Sequence, residues 1–248
     1  MRWLWVLFVA TLVMAVLNRG CKELAKQVMF FQILGIFVDT LFYAAMVNGI
    51  VQPFLRNFMN FAKSFYGDEA YLTHTLPVTK TQLVTSKFLT ALIEITLGFV
   101  VAVASLLIVF WTPDMFDFMQ GLIFLLVGTK LSAVLVLALF VGLVLVEFLM
   151  FLAIIFFAIV VAYRAKEKRV LKTFLYTCVM AFVAITILSV AMVVVLAING
   201  IDLSSSTLVM TGPALLGLLG TGIAVYSLIA VGVYFLTKNE FNKGVNVD

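Results

Sequence analysis

Residues 131–163 read LSAVLVLALFVGLVLVEFLMFLAIIFFAIVVAY, an almost unbroken apolar run in which Glu147 is the single charged residue. About 20 apolar residues suffice for a helix to cross a bilayer. As one helix, this run would be about 50 Å long and would have to tilt or protrude. Gly142 is its only turn-forming residue, and two shorter crossings would place the basic sequence RAKEKR (164–169) outside. The run therefore predicts a single long transmembrane helix.

The rest of the chain is similarly apolar. Of 248 residues, 65% are hydrophobic and 11% are charged, whereas a soluble domain is about 25% charged. We therefore expect an all-α, polytopic membrane protein forming one transmembrane domain over residues 1–248. Its six transmembrane helices are predicted at about 3–17, 28–52, 88–111, 131–163, 173–198 and 212–236. The apolar stretch 120–129 is too short to cross, and is expected to lie in the outer interface or to extend the fourth helix.

Residues 3–17 follow Arg2 as a signal-peptide core would, but no small-x-small cleavage site follows them. We interpret them as a retained first span. The distribution of Lys and Arg then sets the orientation, because cytoplasmic loops retain these residues. With the N-terminus inside, the 53–87 loop, the basic 164–172 loop and the C-terminal tail are all cytoplasmic. The outside receives only Arg19, Lys22, Lys26 and Lys130. Both termini are therefore predicted to be cytoplasmic.

Several kinds of chemistry have no signature in the sequence. There is no GxxxxGK[ST] phosphate loop, so the chain has no such means of holding ATP. His74 is the single histidine, which argues against multi-histidine metal sites and a Ser-His-acid triad. We expect no catalytic residues, no metal, no cofactor in this chain and no nucleic-acid partner. The chain is interpreted as a non-enzyme whose energy source lies elsewhere.

Residues 65–87, FYGDEAYLTHTLPVTKTQLVTSK, form the longest polar interval. Gly67 and the two acidic residues after it predict a turn and a helix start. The short helix would end before Pro77, because the residue preceding proline leaves the α region. Thr79 and Gln82 match a capping box, so a new helix should begin there and continue into the third span. On these grounds alone, the short helix could contact a soluble partner or rest on the lipid surface.

The segment GDEAYLTHTLPVTKTQLVTSKFL (67–89) resembles the GDEGYLTLTLPVS-type segment in permease subunits of type-2 ATP-binding-cassette (ABC) transporters of Gram-positive bacteria. The stretch FLMFLAIIFFAIVVAYRAKEKR (148–169) resembles the fourth span of that family. The end YFLTKNEFNKGVNV (234–247) is similar to the family's basic tail. The chain differs in having Ala70 where glycine is common, His74 where an apolar residue is common, and almost no elbow helix before the first span.

The resemblance implies a coupling helix in the 53–87 loop that contacts a separate ATPase subunit. The residues expected to make this contact are Gly67, Asp68, Glu69, Tyr71, Leu72, Leu76 and Pro77. It also implies ATP and Mg²⁺ on that partner, a second permease copy (identical or homologous), and a location in the bacterial cell membrane. The expected function is export of an amphipathic or hydrophobic substrate, either an antimicrobial peptide or a lipid-like compound.

Three ionisable residues lie inside predicted spans: Asp39, Glu94 and Glu147. Such residues are costly in lipid, which makes them candidates for lining a translocation path. The structural alternative is a pair or hydrogen bond that locks helices together, for example with Lys130. The functional alternative to an exporter is an ion-coupled secondary transporter that uses these carboxylates. A membrane enzyme or a non-transporting scaffold is a third possibility, for which the sequence offers no convincing site.

Overall fold

A computed structural model describes residues 2–25, 28–66, 79–110, 112–128, 131–163, 168–201 and 211–243. These described residues form seven α-helices and contain no strand. The helices are α1 (Arg2–Ala25), α2 (Met29–Tyr66), α3 (Lys80–Phe110), α4 (Pro113–Val127), α5 (Ala133–Ala162), α6 (Arg169–Ile198) and α7 (Gly212–Asn242).

Six of these helices, all except α4, are long and apolar enough to cross a membrane. Large apolar side chains are exposed along them, among them Phe37 at 66% and Phe182 at 72%. Exposed apolar surface of this extent is suited to hydrocarbon, not to water. The all-α class and the six long apolar helices are confirmed, and the fold is that expected of a polytopic membrane protein.

The helix bounds differ from the predicted spans in informative ways. Helix α1 continues to Ala25, past the predicted end at residue 17. The fourth span is one helix, α5, as predicted. Helix α4 does not extend α5, because it ends before Gly128, whose φ of 66° lies in the left-handed region.

The predicted span of about 28–52 lies inside a longer helix, α2, which runs through Pro53 to Tyr66. Proline has no N–H, so the carbonyl of Gly49 loses its helical donor. Helix α3 approaches that carbonyl with Gly98, where an added Cβ would lie only 2.9 Å from the Gly49 oxygen. The neighbouring helix therefore covers the irregularity, which is how membrane helices tolerate proline.

The helices group into two compact units. The first contains α1 with most of α2 and α3, over residues 1–59 and 89–115. Its core includes Ala15, Phe42 and Val109. Helices α1 and α2 also meet where the Thr11 hydroxyl donates to the Ala45 carbonyl at 3.4 Å.

The second unit contains residues 60–88 and 116–248, and α5, α6 and α7 pack together in it. Its core is formed by Met150, Ala153, Ile154, Ala184, Tyr226 and Val233. Small residues allow close packing, since a Cβ on Gly222 would lie 2.6 Å from a Leu143 methyl carbon. The last turns of α2 and the first turns of α3 also belong to this unit.

Candidate functional site

The predicted coupling helix lies outside the described residues, as do Gly67, Asp68, Glu69, Tyr71, Leu72, Leu76 and Pro77. The two ends that hold this segment are described. Helix α2 ends at Tyr66, and α3 begins at Lys80. The surroundings of the segment 67–78 are therefore defined by the end of α2 and the start of α3.

The capping box predicted at the start of α3 is present. The Thr79 backbone N–H donates to the Gln82 side-chain oxygen at 3.0 Å, and the Gln82 N–H donates to the Thr79 hydroxyl at 3.3 Å. These reciprocal bonds satisfy two backbone donors that a helix start otherwise leaves free. The segment 67–78 is therefore followed by a well-defined helix start.

Both flanks are embedded in aromatic side chains that we call the anchor cluster. Its members are Phe61, Phe65, Tyr66, Phe88, Phe156, Tyr163, Tyr234 and Phe241. Phe65 at the end of α2 lies 4.7 Å from Phe241 of α7, between ring centroids, and both side chains are fully buried. Tyr66 stacks on Tyr163 at the end of α5, at 4.2 Å.

The start of α3 joins the same cluster. Phe88 packs edge-to-face on Phe156 of α5 at 5.0 Å and on Tyr234 of α7 at 5.1 Å. Phe156 also stacks on Phe61 of α2 at 4.1 Å. Aromatic pairs of this kind contribute about 0.5–1.5 kcal/mol each beyond their buried area. The cluster thus fixes the ends of α2 and α3 to α5 and α7.

Polar contacts tie the two flanks to each other and to α7. The Lys87 ammonium donates to the Ser64 hydroxyl at 2.9 Å, which joins α3 directly to α2. The hydroxyls of Thr85 and Tyr234 are 2.8 Å apart. The Asn242 amide donates to the Thr81 hydroxyl at 3.3 Å. Residues 67–78 therefore connect two helix ends that are held together by direct bonds.

Five helix ends meet at this cluster, and each of these ends lies close in sequence to Lys or Arg residues. Helix α6 supplies the fifth of these ends, because the guanidinium carbon of Arg169 at its start lies 5.4 Å from the centre of the Tyr163 ring. The Lys and Arg residues of these ends are Lys63, Lys80, Lys87, Lys168, Arg169, Lys172, Lys238 and Lys243. Glu240 at the end of α7 is paired with Lys243 at 2.6 Å. The described helix ends from the three segments that the charge distribution assigns to one membrane side thus lie together within this unit.

Asp39 is engaged in helix contacts. Its carboxylate lies 3.2 Å from the Lys22 ammonium and accepts a 2.5 Å hydrogen bond from the Asn18 amide, both on α1. Lys22 also lies 4.8 Å from the centre of the Phe110 ring. This arrangement matches the alternative in which a carboxylate locks helices together.

Glu94 is held in the same manner. Its side chain is 7% exposed and accepts a 2.8 Å hydrogen bond from the Asn57 amide of α2. The same amide nitrogen donates to the Pro53 carbonyl at 2.8 Å. Asp39 and Asn57 are about 27 Å apart along a helix, so Asp39 and Glu94 do not form one site.

Glu147 lies in the other unit, exposed at the middle of α5. It borders a cavity of about 280 Å³ lined by Phe148, Met150, Phe151, Ala181, Ile185 and Tyr226. Within the described part of the chain, its carboxylate makes no hydrogen bond or ion pair. Lys130, the suggested partner for such a carboxylate, lies outside the described residues. Unlike Asp39 and Glu94, Glu147 therefore borders a cavity without a hydrogen bond or ion pair to another described residue.

A second cavity, which was not predicted from the sequence, lies in the first unit. It measures about 510 Å³ and is lined by α1 and α2. Asn48, Gln52 and Arg56 project into it from α2. These three polar residues are four positions apart, within and just beyond an apolar span. That spacing is the sequence signal from which a polar stripe on α2 could have been predicted.

No group of three or more His, Cys, Asp or Glu residues that could hold a metal ion occurs in the ranges that the structure describes. The chain matches no protein-family model, no curated protein and no solved structure.

Proposed function

We propose that this chain is the transmembrane permease subunit of an ABC exporter in the bacterial cell membrane. It works with separate ATPase subunits, which bind ATP and Mg²⁺, and with a second permease copy, identical or homologous. The cargo is an amphipathic or hydrophobic molecule, either an antimicrobial peptide or a lipid-like compound. Residues 67–78 form the coupling helix that contacts the ATPase.

The observation that carries this proposal is the anchoring of both flanks of residues 67–78. A segment that transmits movement from a soluble motor must be joined firmly to the helices it moves. Here the end of α2 and the start of α3 are bonded to each other through Ser64 and Lys87, and both pack on α5 and α7. A push on the segment is therefore transferred to four helices at once.

The positive charge near the anchor cluster also supports the proposal that residues 67–78 contact an ATPase. The basic residues there belong to the segments that the positive-inside rule assigns to the cytoplasm, where an ATPase subunit and its ATP are found. The anchored segment 67–78 then faces the cytoplasm. A chain without a phosphate loop of its own can use ATP energy through such a contact.

The anchoring can be tested without altering the segment itself. Phe241→Ala removes a fully buried ring that packs on Phe65. We expect the variant to retain the ATPase subunit but to lose at least half of the stimulation of ATP hydrolysis, measured in proteoliposomes containing both subunits. Phe182→Ala is the matched control, because that ring is 72% exposed on α6. Full stimulation by Phe241→Ala would contradict the anchoring argument.

One observation favours the ion-coupled secondary transporter as a second candidate. Glu147 borders a cavity in mid-span and makes no hydrogen bond or ion pair to another described residue, which leaves its carboxylate available to an ion. Asp39 and Glu94 support it less, because both are engaged in helix contacts. This candidate predicts transport that follows a proton or sodium gradient in vesicles lacking nucleotide, and that Glu147→Gln abolishes it.

A further inference from the structure

The cavity between α1 and α2 has two chemically different walls. Helix α1 contributes an apolar wall that includes Leu4, Val6, Leu7 and Ala10, together with Trp3 at one end. Helix α2 contributes Asn48, Gln52 and Arg56. Thr11 and Ala45 line the other end, where the Thr11 hydroxyl lies 3.4 Å from the Ala45 carbonyl oxygen. We call this cavity the α1–α2 groove.

The polar wall is a continuous stripe on one face of α2. Residues four apart on a helix lie above one another, so Asn48, Gln52 and Arg56 span about 12 Å along the axis. Among the residues that the structure describes, none of the three makes a hydrogen bond or an ion pair. Amide and guanidinium groups without partners are costly beside hydrocarbon. The stripe therefore offers unpaired hydrogen-bond donors and a positive charge to an occupant of the groove.

The position of the Arg56 charge indicates which kind of ligand the α1–α2 groove would bind. Arg56 and Trp3 lie at the end of the groove opposite the Thr11–Ala45 contact. Tryptophan favours the membrane–water interface, which places this end at the level of the lipid headgroups. Arginine pairs with phosphate through two parallel hydrogen bonds. Deeper in the groove, Asn48 and Gln52 face the apolar wall of α1, where ester oxygens and an acyl chain fit.

We propose that the α1–α2 groove is a binding site for an anionic phospholipid. Its phosphate binds Arg56, its glycerol and ester oxygens accept hydrogen bonds from the amides of Gln52 and Asn48, and one acyl chain lies against α1. The site is independent of the proposed exporter function, because it uses neither residues 67–78 nor the anchor cluster.

The test is native mass spectrometry of the full-length chain in detergent, titrated with phosphatidylglycerol. Two probes divide this lipid into its parts: diacylglycerol with the same chains lacks the phosphate, and glycerol 3-phosphate lacks the chains. We expect phosphatidylglycerol to bind at least about tenfold more tightly than either, as expected for a charged hydrogen-bonded pair added to apolar contact. Equal binding of diacylglycerol would overturn the proposal.

Variants locate the site. Arg56→Gln should weaken phosphatidylglycerol binding about tenfold, and the double variant Asn48→Leu with Gln52→Leu about three- to tenfold. Arg56→Lys keeps the positive charge and should lose less affinity for phosphatidylglycerol than Arg56→Gln. This difference separates a loss of phosphate binding from misfolding. Lys63→Gln, an exposed basic residue on the same helix outside the groove, is the matched control. Equal losses in Arg56→Gln and Lys63→Gln would contradict the proposal, as would a changed oligomeric state in the double variant with unchanged lipid binding.

Discussion

Asn57 and Glu94 connect two spans through one buried hydrogen bond of 2.8 Å. Glu94 is 7% exposed and Asn57 is 6% exposed, so water is not available to replace either partner. A buried polar group without a partner costs about 1–3 kcal/mol. At this position the carboxylate therefore joins α3 to α2.

A double-mutant cycle can measure this contact. Asn57→Leu leaves the Glu94 carboxyl group unpaired, and we expect the free energy of unfolding to fall by about 1–3 kcal/mol. Adding Glu94→Leu should restore part of the loss, with a coupling energy of about 0.5–2 kcal/mol. Unfolding in mixed detergent micelles, followed by circular dichroism, gives these values. A coupling energy of zero would show that the hydrogen bond does not stabilise the fold.

Glu147 should behave differently. Its carboxylate has no hydrogen-bond partner within the described residues, so Glu147→Gln should change the free energy of unfolding by no more than about 0.5 kcal/mol. If the residue lines the translocation path, the same variant should reduce transport severalfold. The two measurements are unfolding in micelles and cargo uptake by inverted vesicles. A stability loss as large as that of Asn57→Leu would mean that Glu147 holds helices together.

Sequence analysis could locate these carboxylates but not their partners. Depth along a span follows from counting residues, whereas the face of a helix that meets a neighbour depends on tertiary packing. Asn18 and Asp39 are 21 positions apart, and Asn57 and Glu94 are 37 positions apart. Neither asparagine is recognisable in the sequence as a hydrogen-bond partner of a carboxylate, because the two residues come together only when the helices pack.

At the scale of elements, local sequence signals were reliable where the chemistry is local. The capping box at Thr79 and Gln82 is formed as predicted, and residues 131–163 give one helix. The predicted span of about 28–52 lies inside a longer helix, α2, which continues through Pro53, a residue that normally breaks a helix. In this fold, Gly98 of a neighbouring helix packs against the carbonyl that the proline leaves free, a contact that no local rule contains.

Two glycines test these close helix contacts. An alanine at position 98 would meet the Gly49 backbone oxygen at 2.9 Å, and backbone cannot readily move aside. An alanine at position 222 would meet a Leu143 methyl carbon at 2.6 Å, but that side chain can change rotamer. We expect losses of about 1–3 kcal/mol from such overpacking, with Gly98→Ala the larger. Unfolding in micelles supplies the comparison.

Two other helical glycines provide matched controls for Gly98→Ala and Gly222→Ala. Gly35 on α2 and Gly220 on α7 have nothing within 4 Å of an added Cβ. Replacing a helical glycine by alanine without a clash stabilises a helix by about 0.5–1 kcal/mol. Gly35→Ala and Gly220→Ala should therefore be neutral or stabilising. If all four alanine variants behaved alike, close helix packing at Gly98 and Gly222 would be refuted.

At the scale of the whole molecule, composition was sufficient for the class of protein. Six long apolar helices follow from hydropathy alone, because the hydrocarbon core sets both the length and the backbone bonding of a span. The grouping of the helices into two compact units did not follow, since lipid-facing and helix-facing apolar residues look the same in a sequence.

The anchor cluster is likewise a property of the folded chain. Its aromatic residues come from α2, α3, α5 and α7, and only tertiary packing brings them together. Charge counting assigned the 53–87 loop, the 164–172 loop and the tail to one membrane side, and helix ends described from these segments meet within the second unit. This common end is the basis of the proposal that residues 67–78 contact an ATPase.

The most direct test of that proposal is affinity purification of the tagged, full-length chain from its native membrane, followed by ATPase assays in proteoliposomes. We predict that an ABC ATPase subunit co-purifies and that the chain stimulates its ATP hydrolysis. Tyr71→Ala combined with Leu72→Ala should abolish that stimulation, while Phe182→Ala, whose ring is 72% exposed on α6, should retain most of it. Recovery of no ATPase subunit, or unchanged stimulation by the double variant, would contradict the account.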